Sequence, residues 1–478
     1  MTDASISRAG AMSRASTYLE SGSFDADLAR RVAYRTESQL LPVSLAELHR
    51  YLDAEMAPAF HRMGFTVRIF ENPVAGQGPV LLATCVEDAR LPTVLGYGHG
   101  DVVRGLEDQW TKGKGPWITA REGDRLYGRG TADNKGQHTI NMAALEAVRA
   151  ERGGHLGFNA KFMIEMGEEA GSKGLAELVA AHKSAFAADV LIASDGPRVT
   201  PERPTMTLGC RGAINFDLVC DLREGGHHSG NWGGLIANPG VILAHALSSI
   251  VGPQGELLVR ALGAPPVSKA AKECLADVEI DGGEEGPQVD DWWGEPGLSP
   301  AERVYASNVF NILAFTTGTP GRPVNAIPAK AVANCQLRFV AGTDWARVMP
   351  ALQAHLDARG FDRVRVMPPP GMNDGRFAAT QTEPDHPWSQ FVRQSLQRSA
   401  NAKPAMLPAT GGSICNDVFT DILGMPTIWV PHSYTSCSQH APNEHILMPV
   451  ARSAIALMAG LYWDIGEGKV PGTDIGPC

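Results

Sequence analysis

The segment "TVLGYGH" at 93–99 is an almost continuous apolar run that ends in a histidine. Such runs are typical of a β-strand covered on both faces, as in a parallel sheet between two layers of helices. Near it, "VLLATC" at 80–85, "NAKFMIEM" at 159–166 and "DVLIASD" at 189–195 also have the composition of strands. Segments with apolar residues at helical spacing alternate with them beyond residue 99. This alternation predicts an α/β domain built on a parallel sheet.

The pattern changes after about residue 208, where strand, helix, strand, strand, helix and strand follow in turn. This order is that of a ferredoxin-like split βαβ unit, which is normally a small domain of its own. A Gly-, Glu- and Pro-rich stretch covers about 255–300, and its part at 282–297 is interpreted as a solvated loop. The first pattern then returns. We therefore predict one α/β domain formed by residues 1–208 and 373–478, with an α+β domain inserted at 209–372.

Composition excludes several classes of protein. The 478 residues carry 42 basic and 52 acidic side chains, a net charge of −10, with no Lys/Arg-rich run. This balance argues against nucleic acid or an anionic membrane as a partner. No apolar run approaches the roughly 18 residues that a membrane span needs. The eight cysteines form no C-x-x-C pair, which favours free thiols in a reducing cytoplasm.

The N-terminal segment "MTDASISRAGAMSRAS" at 1–16 has arginines but no apolar core of a signal peptide. We interpret it as a short frayed arm on a cytoplasmic protein. A transit peptide is the alternative, which Asp3 and the early amphipathic helix make less favourable.

Acidic residues and histidines recur where the predicted strands end. In an open parallel sheet, the carboxyl ends of the strands meet along one edge, where ligands bind. A loop before the helix at 135–152 faces the same crevice. The side chains delivered to this edge are those of His99, Asp133, Glu168, Glu169, Asp195 and His440.

Two histidines with three or four carboxylates are a mixed nitrogen and oxygen ligand set that suits zinc, with manganese or cobalt also possible. One catalytic zinc needs about three protein ligands, which is fewer than the candidates here. Two ions that share one carboxylate would use the additional ligands. Asp101 lies two residues beyond His99, on the same side of an extended chain, and can fix the imidazole tautomer. Taken singly, each residue could be a surface histidine or part of a solvated turn. Their convergence at strand ends favours a metal site.

These residues lie in motifs that resemble a known family. In chain order, the motifs are "HGDVV", "LYGRGTADNKG", "MGEEAGSKGL", "SDGP", "HHSGNWGG", "NAIPAKAVANCQLRFV" and "TGGSI", followed by a late histidine before "PNE". They resemble the family of acetylornithine deacetylase, succinyl-diaminopimelate desuccinylase, aminoacylase, carboxypeptidase G and the cytosolic carnosine-type dipeptidases. The resemblance spans roughly 45–460. The long insert and "HSGNWGG" look closest to the dipeptidase branch.

The resemblance implies a zinc-exopeptidase-like catalytic domain, interrupted by an inserted dimerisation or lid domain. It implies two divalent metal ions per chain, with zinc expected and Mn²⁺ or Co²⁺ possible. Asp133 would bridge the ions and precede a cis peptide bond, Glu168 would be the general base, and Asp101 would orient His99. The implied ligands are His99, Asp133 and Asp195 for one ion and Asp133, Glu169 and His440 for the other.

The resemblance also implies how substrate is held. Arg338, Gly412 and Ser413 match positions that bind a free carboxylate, and His228 matches a histidine that reaches the partner's active site in family homodimers. These matches predict a metallopeptidase that cleaves dipeptides or short peptides with a free C-terminal carboxylate. An N-acyl-amino-acid amidohydrolase with the same metals is the alternative, and a non-catalytic scaffold is the other class. The segment 368–375 lacks a further histidine that dipeptidase relatives often carry there.

Overall fold

The structure is a computed structural model, which describes residues 6–280, 287–369, 376–468 and 470–471. Within these residues, eight strands form a central sheet, and their order across it is Thr66–Phe70, Val80–Cys85, Asn159–Glu165, Thr93–His99, Val190–Ala193, Thr427–Trp429, Thr205–Thr207 and Ala405–Leu407. Helices cover both faces. The predicted α/β class is confirmed.

The sheet is parallel at its centre and antiparallel toward the edge formed by Thr66–Phe70. It is antiparallel again where Thr427–Trp429 meets Thr205–Thr207. Thr93–His99 runs parallel to Asn159–Glu165 and to Val190–Ala193, whereas Thr66–Phe70 and Val80–Cys85 pair antiparallel. The prediction of a parallel sheet is therefore wrong for this edge. The connection between the two edge strands is shorter than the dozen or so residues that a parallel crossover needs.

Both faces of the central strands are buried. Val94 and Phe162 belong to one apolar core, and Leu95 and Met163 belong to the core on the opposite face. Successive strand residues point to opposite faces, which explains why the strand sequences are almost continuously apolar. The helices of this domain are Arg8–Glu20, Ser23–Val32, Leu45–Tyr51, Ala57–Arg62, Lys135–Glu151, Leu175–Ala181, Lys183–Phe186, Pro387–Ala400 and Met448–Gly466.

The N-terminal segment is not a frayed arm, because Arg8–Glu20 is a helix. Its residues Ala11, Ala15 and Leu19 recur at helical spacing and are at most 3% exposed. Arg8 Nε also lies 2.9 Å from Asp464 Oδ1 in the last helix. The sequence interpretation was wrong because a stripe formed mainly of alanines gives a weak hydrophobic signal. Residues 1–5 lie outside the described part of the chain.

The inserted region forms its own sheet in the predicted order of elements. Its antiparallel strands lie in the order Val309–Thr317, Lys330–Phe339, Gly212–Asp221 and Val364–Met367, and Arg376–Phe377 also pairs with Gly212–Asp221. The helices Pro239–Ser248 and Val348–Ala358 pack on one face, in a core that includes Phe216 and Leu352. The other face carries half-buried polar side chains, Arg338 among them. This alternation places Arg338 on the side away from the helices.

Two short strands, Gly209–Cys210 and Thr380–Gln381, pair where the chain enters and leaves the inserted region. The predicted boundary at 372 and 373 lies outside the described residues. The sequence did not predict two short helices in the inserted region. Lys269–Leu275 lies within the Gly-, Glu- and Pro-rich stretch at 255–300, and Pro300–Tyr305 begins at the last residue of that stretch.

These two helices pack against an edge strand of the main sheet. Leu275 and Ala301 share a small core with Ala405 and Leu407. Part of the inserted sequence therefore belongs structurally to the edge of the main domain. In the described part of the chain, no helix has both the length and the apolar character that a bilayer crossing requires.

Candidate metal centre and substrate cleft

The carboxyl ends of three neighbouring parallel strands supply the centre. His99 is the last residue of Thr93–His99, and Asp195 lies two residues after Val190–Ala193. Glu168 and Glu169 lie in a short 3₁₀ turn after Asn159–Glu165. This is the edge of the sheet at which the sequence predicts a ligand site.

Two groups of side chains there have the spacing of metal ligands. The first group is His99, Asp133 and Asp195, and the second is Asp133, Glu169 and His440. Within each group, the candidate ligand atoms all lie within 4.8 Å of one another. These are the two triads that the family resemblance implies.

Asp133 belongs to both groups through different oxygens. Its Oδ1 lies 3.0 Å from His99 Nε2, and its Oδ2 lies 3.2 Å from His440 Nε2. Glu169 Oε2 lies 3.0 Å from the same nitrogen of His440. The peptide bond between Asp133 and Asn134 is cis, as the resemblance implies. A carboxylate with one oxygen toward each group has the arrangement of a bridging ligand.

The electrostatics of the centre show an excess of negative charge. Burial, followed by the charge of Asp133, raises the pKa of Glu169 to about 7 and that of Asp195 to about 6. Hydrogen bonds to Asp133 and Glu169 raise the pKa of His440 to about 11. Burial also raises the pKa of Glu168 well above its usual value, against the lowering effect of His99. A bound cation would relieve the repulsion between these carboxylates and would favour their ionised form.

Asp101 organises the acidic turn as well as the histidine. Its Oδ1 and Oδ2 accept hydrogen bonds from the backbone N–H groups of Glu168 and Glu169, at 3.2 and 3.0 Å. For His99 Nδ1, the nearer partner is the backbone carbonyl of Asp101 at 3.0 Å, whereas the carboxylate Oδ1 is at 3.5 Å. The sequence predicted the contact with His99 but missed that Asp101 holds the turn. This contact was not predictable from spacing, because Asp101 and the turn follow different strands and only the fold brings them together.

The acidic turn begins at Gly167, whose φ of −150° is not in the left-handed region. A side chain at this position would meet only Glu165 Oε1, at 3.8 Å. The turn therefore does not require glycine there. Left-handed conformations follow the glutamates, at Gly171, Ser172 and Gly174, with φ of 84°, 49° and 83°.

The sequence did not identify Glu444 as a residue of the site. Its Oε1 accepts hydrogen bonds from the backbone N–H groups of Gly130, Ala132 and Asp133 at 3.0, 3.0 and 3.1 Å. Its Oε2 accepts from Arg129 Nη1 at 2.8 Å. Glu444 thus fixes the loop that presents Asp133, and it lies in the same connection as His440. The motif "PNE" was the available signal, but it did not identify the partner loop.

The carboxylate-binding residues predicted by resemblance lie next to one another. Arg338 Nη1 donates to Ser413 Oγ at 2.9 Å, and this hydroxyl donates to the carbonyl of Arg211 at 2.7 Å. Gly412 and Ser413 line a cavity of about 180 Å³ together with Asp133, Glu168 and His440. The structure therefore brings the candidate metal ligands and the candidate carboxylate-binding residues together at one cleft.

His228 is the predicted residue that lies apart from this cleft. Its side chain is exposed, and its Nδ1 accepts a hydrogen bond from Gly230 N at 3.1 Å. In the described part of the chain, no hydrogen bond or ion pair connects it to either triad. Its assignment to the partner's site stays a prediction.

Comparison with known proteins identifies the family of the chain. The sequence model described as Peptidase family M20/M25/M40 matches residues 95–464. The chain belongs to this family. The matched residues include both triads and the inserted region, so the family's peptidase activity class applies to the region that carries the site.

Two relatives of this M20 peptidase illustrate the similarity. A cysteinylglycine-S-conjugate dipeptidase from Corynebacterium striatum is 30% identical over 68% of this chain and 70% of its own. A β-Ala-His dipeptidase from Rattus norvegicus is 33% identical over 42% of each chain, so this second alignment spans less than half of that relative.

Solved structures show the same fold at lower identity. Human carnosine dipeptidase 1 has a TM-score of 0.74 with 23% identity, covering 95% of this chain and 99% of its own. The dipeptidase Dug1p from Saccharomyces cerevisiae has a TM-score of 0.76 with 20% identity, covering 97% of this chain and 100% of its own. The fold of this M20 peptidase thus extends over nearly the whole chain.

Proposed function

We propose that this M20 peptidase is a two-metal dipeptidase that hydrolyses the amide bond of dipeptides with a free C-terminal carboxylate. The observation that carries the proposal is Asp133, whose two oxygens each face a separate ligand group beside Glu168. The names of the relatives, which are dipeptidases, support the choice of substrate class.

The donor atoms fit two divalent cations of the zinc type. Each triad offers one imidazole nitrogen together with carboxylate oxygens, which suits zinc and also manganese or cobalt. When bound, such cations would supply Lewis acidity for the amide carbonyl and for a water molecule. His99, Asp133 and Asp195 would hold one ion, and Asp133, Glu169 and His440 would hold the other.

Glu168 is the proposed general base. Its carboxylate lines the cleft, and no hydrogen bond to that carboxylate is present in the described part of the structure. It would take a proton from the attacking water and pass that proton to the leaving amine nitrogen, so that one group serves both proton transfers. Asp101 would hold Glu168 in position through the backbone of the turn.

Arg338 is the proposed anchor for the substrate's C-terminal carboxylate. Its Nη1 donates to Ser413 Oγ at 2.9 Å and its Nε donates to Gln336 Oε1 at 3.0 Å. In the described part of the chain Nη2 has no partner, so it is the donor available for a carboxylate. A charge-assisted contact of this kind selects substrates that end in a free carboxylate. A Cβ atom at Gly412 would meet no atom within 4 Å beyond its own residue and chain neighbours, so the space beside this glycine is open to the substrate.

A homodimer would complete the site by placing His228 in the partner's cleft, where it would stabilise the oxyanion. The edge strand Val309–Thr317 supports this proposal, since it pairs on one side only within the described residues. In this strand, Ile312 is 44% exposed, Leu313 59% and Phe315 41%. An apolar edge of this kind is rarely left uncovered in a monomer.

A matched substrate panel tests the function. The purified protein, loaded in turn with zinc, manganese and cobalt, is given L-alanyl-L-leucine, its C-terminal amide and N-acetyl-L-leucine, and released leucine or leucinamide is measured. We expect cleavage of the dipeptide, with the amide cleaved about 100-fold or more slowly because it cannot form the charged contact with Arg338. Exclusive turnover of N-acetyl-L-leucine would instead identify an amidohydrolase. Absence of turnover with every metal would contradict a hydrolytic function.

A further inference from the structure

A second cavity of about 420 Å³ adjoins the substrate cleft. Arg211, Asn311 and Arg338 line it, together with Trp293 and Val304. The hydrogen bond from Arg338 to Ser413 joins the two cavities, because Ser413 lines the cleft with the metal ligands and Arg338 lines the second cavity. A substrate held by Arg338 would therefore lie at the entrance to this space.

The cavity contains two guanidinium groups without a carboxylate partner. In the described part of the chain, neither Arg211 nor Arg338 forms an ion pair. Arg211 Nε and Nη2 donate to the carbonyl of Gly411, at 3.1 and 3.0 Å, and its buried Nη1 has no hydrogen-bond partner. A buried donor on a charged group is costly unless a ligand satisfies it. Two adjacent cations of this kind favour a ligand with two negative charges.

Within the described residues, the other charged groups that line the cavity form no ion pair with Arg211 or Arg338. Asp290 and Glu295 also line it, but Glu295 Oε2 accepts a hydrogen bond from Leu257 N at 3.2 Å. Arg303 donates to backbone carbonyls, including that of Trp293 at 2.6 Å. Among the described residues that line the cavity, three arginines accompany two carboxylates, so this part of the lining has a positive balance of charge.

We propose that this cavity binds the side chain of the substrate's C-terminal residue and favours an anionic one, aspartate or glutamate. The inference rests on the proposed dipeptidase function. With the α-carboxylate on Arg338, the side chain of the same residue reaches the cavity that Arg338 and Arg211 share. Arg211 then binds the second carboxylate, and Asn311 supplies a neutral donor beside it.

The test compares L-alanyl-L-glutamate with L-alanyl-L-glutamine, which differ in charge but hardly in size. We expect kcat/KM to favour the glutamate dipeptide by about 10-fold or more, and Arg211→Gln to reduce this ratio toward one. Arg211→Lys keeps the charge and should retain part of the preference. Arg363→Gln is the matched control, because this arginine is 73% exposed and pairs with Asp362. It should leave the ratio unchanged.

A binding measurement separates this inference from the dipeptidase proposal. Calorimetry with the zinc-loaded protein should show tighter binding of free L-glutamate than of L-glutamine, and Arg211→Gln should remove the difference. The proposed cavity specificity would be overturned if L-glutamate and L-glutamine bound equally tightly and the two dipeptides had equal kcat/KM. It would also be overturned if Arg211→Gln lowered kcat/KM equally for both dipeptides. If neither dipeptide is cleaved but L-glutamate still binds more tightly through Arg211, the dipeptidase proposal fails and the anion site stands.

Discussion

Glu168 and Glu169 are neighbours in the sequence, yet they have different surroundings. Glu169 Oε2 contacts His440 Nε2 at 3.0 Å, in a group of potential metal ligands. Glu168 lines the cleft instead, and its backbone N–H donates to Asp101. We therefore propose separate tasks, with Glu169 as a ligand and Glu168 as a base.

Matched substitutions of the two glutamates test this division. Glu168→Gln should leave the bound metal nearly unchanged and lower kcat by about 10²–10⁴-fold, because a neutral amide cannot accept the proton. Glu169→Gln should lower the metal content, which elemental analysis of the purified variants measures. An active Glu168→Gln enzyme, or full metal content in Glu169→Gln, would contradict the assignment.

Glu444 is expected to affect the metals without contacting them. Glu444→Gln removes one of the two charged oxygens that hold Arg129 and the backbone around Asp133. We expect metal affinity to fall by about 10–100-fold, as measured by competition with a chromophoric chelator. Glu467→Gln is a suitable control, since this glutamate is 51% exposed and pairs with Arg152. Unchanged affinity in Glu444→Gln would mean that the loop keeps its shape by other contacts.

At individual positions, the sequence predicted the residues that follow long strands. His99 and Asp195 were found because their strands are continuous apolar runs with visible ends. The role of Glu444 was not predictable in this way, because it depends on two distant loops that meet only in the folded chain. The closer contact of His99 with a carbonyl, rather than with a carboxylate, depends on local backbone geometry that spacing does not specify.

Helices and strands were predicted well where their apolar pattern was strong. The helices Lys135–Glu151 and Pro387–Ala400 agree closely with the sequence pattern. The prediction missed the strands Thr205–Thr207 and Ala405–Leu407, which are too short to show a periodicity. It also missed the N-terminal helix, whose buried face is mainly alanine. Short or alanine-rich elements depend on tertiary packing, which a local pattern does not contain.

The N-terminal helix should contribute to stability rather than to catalysis. Leu19 is 3% exposed, so Leu19→Ala should destabilise the protein by about 2–5 kcal/mol through lost packing and a residual cavity. Ile6, which is 63% exposed, provides the control Ile6→Ala. Thermal unfolding should show a lower midpoint only for Leu19→Ala, with an unchanged kcat for the folded fraction. Equal midpoints would indicate that the helix is not packed as described.

In the whole molecule, the separation of His228 from the metal residues makes a dimer part of the proposed site. Mixing Glu168→Gln and His228→Ala proteins, each of low activity, should restore activity. In a mixed dimer, the His228→Ala chain keeps Glu168 and receives an intact His228 from its partner. Random exchange gives one complete site in half of the dimers, or about a quarter of wild-type activity. Mass spectrometry of intact dimers would verify exchange, and exchange without recovery would contradict a shared site.

The dependence of activity on zinc tests the central claim most directly. Protein freed of metal by a chelator is titrated with zinc, and cleavage of L-alanyl-L-leucine is followed after each addition. Because two ligand groups share Asp133, the account predicts no activity without metal and a maximum at two zinc ions per chain. Full activity in the metal-free protein, or a maximum reached at one zinc ion per chain, would contradict it.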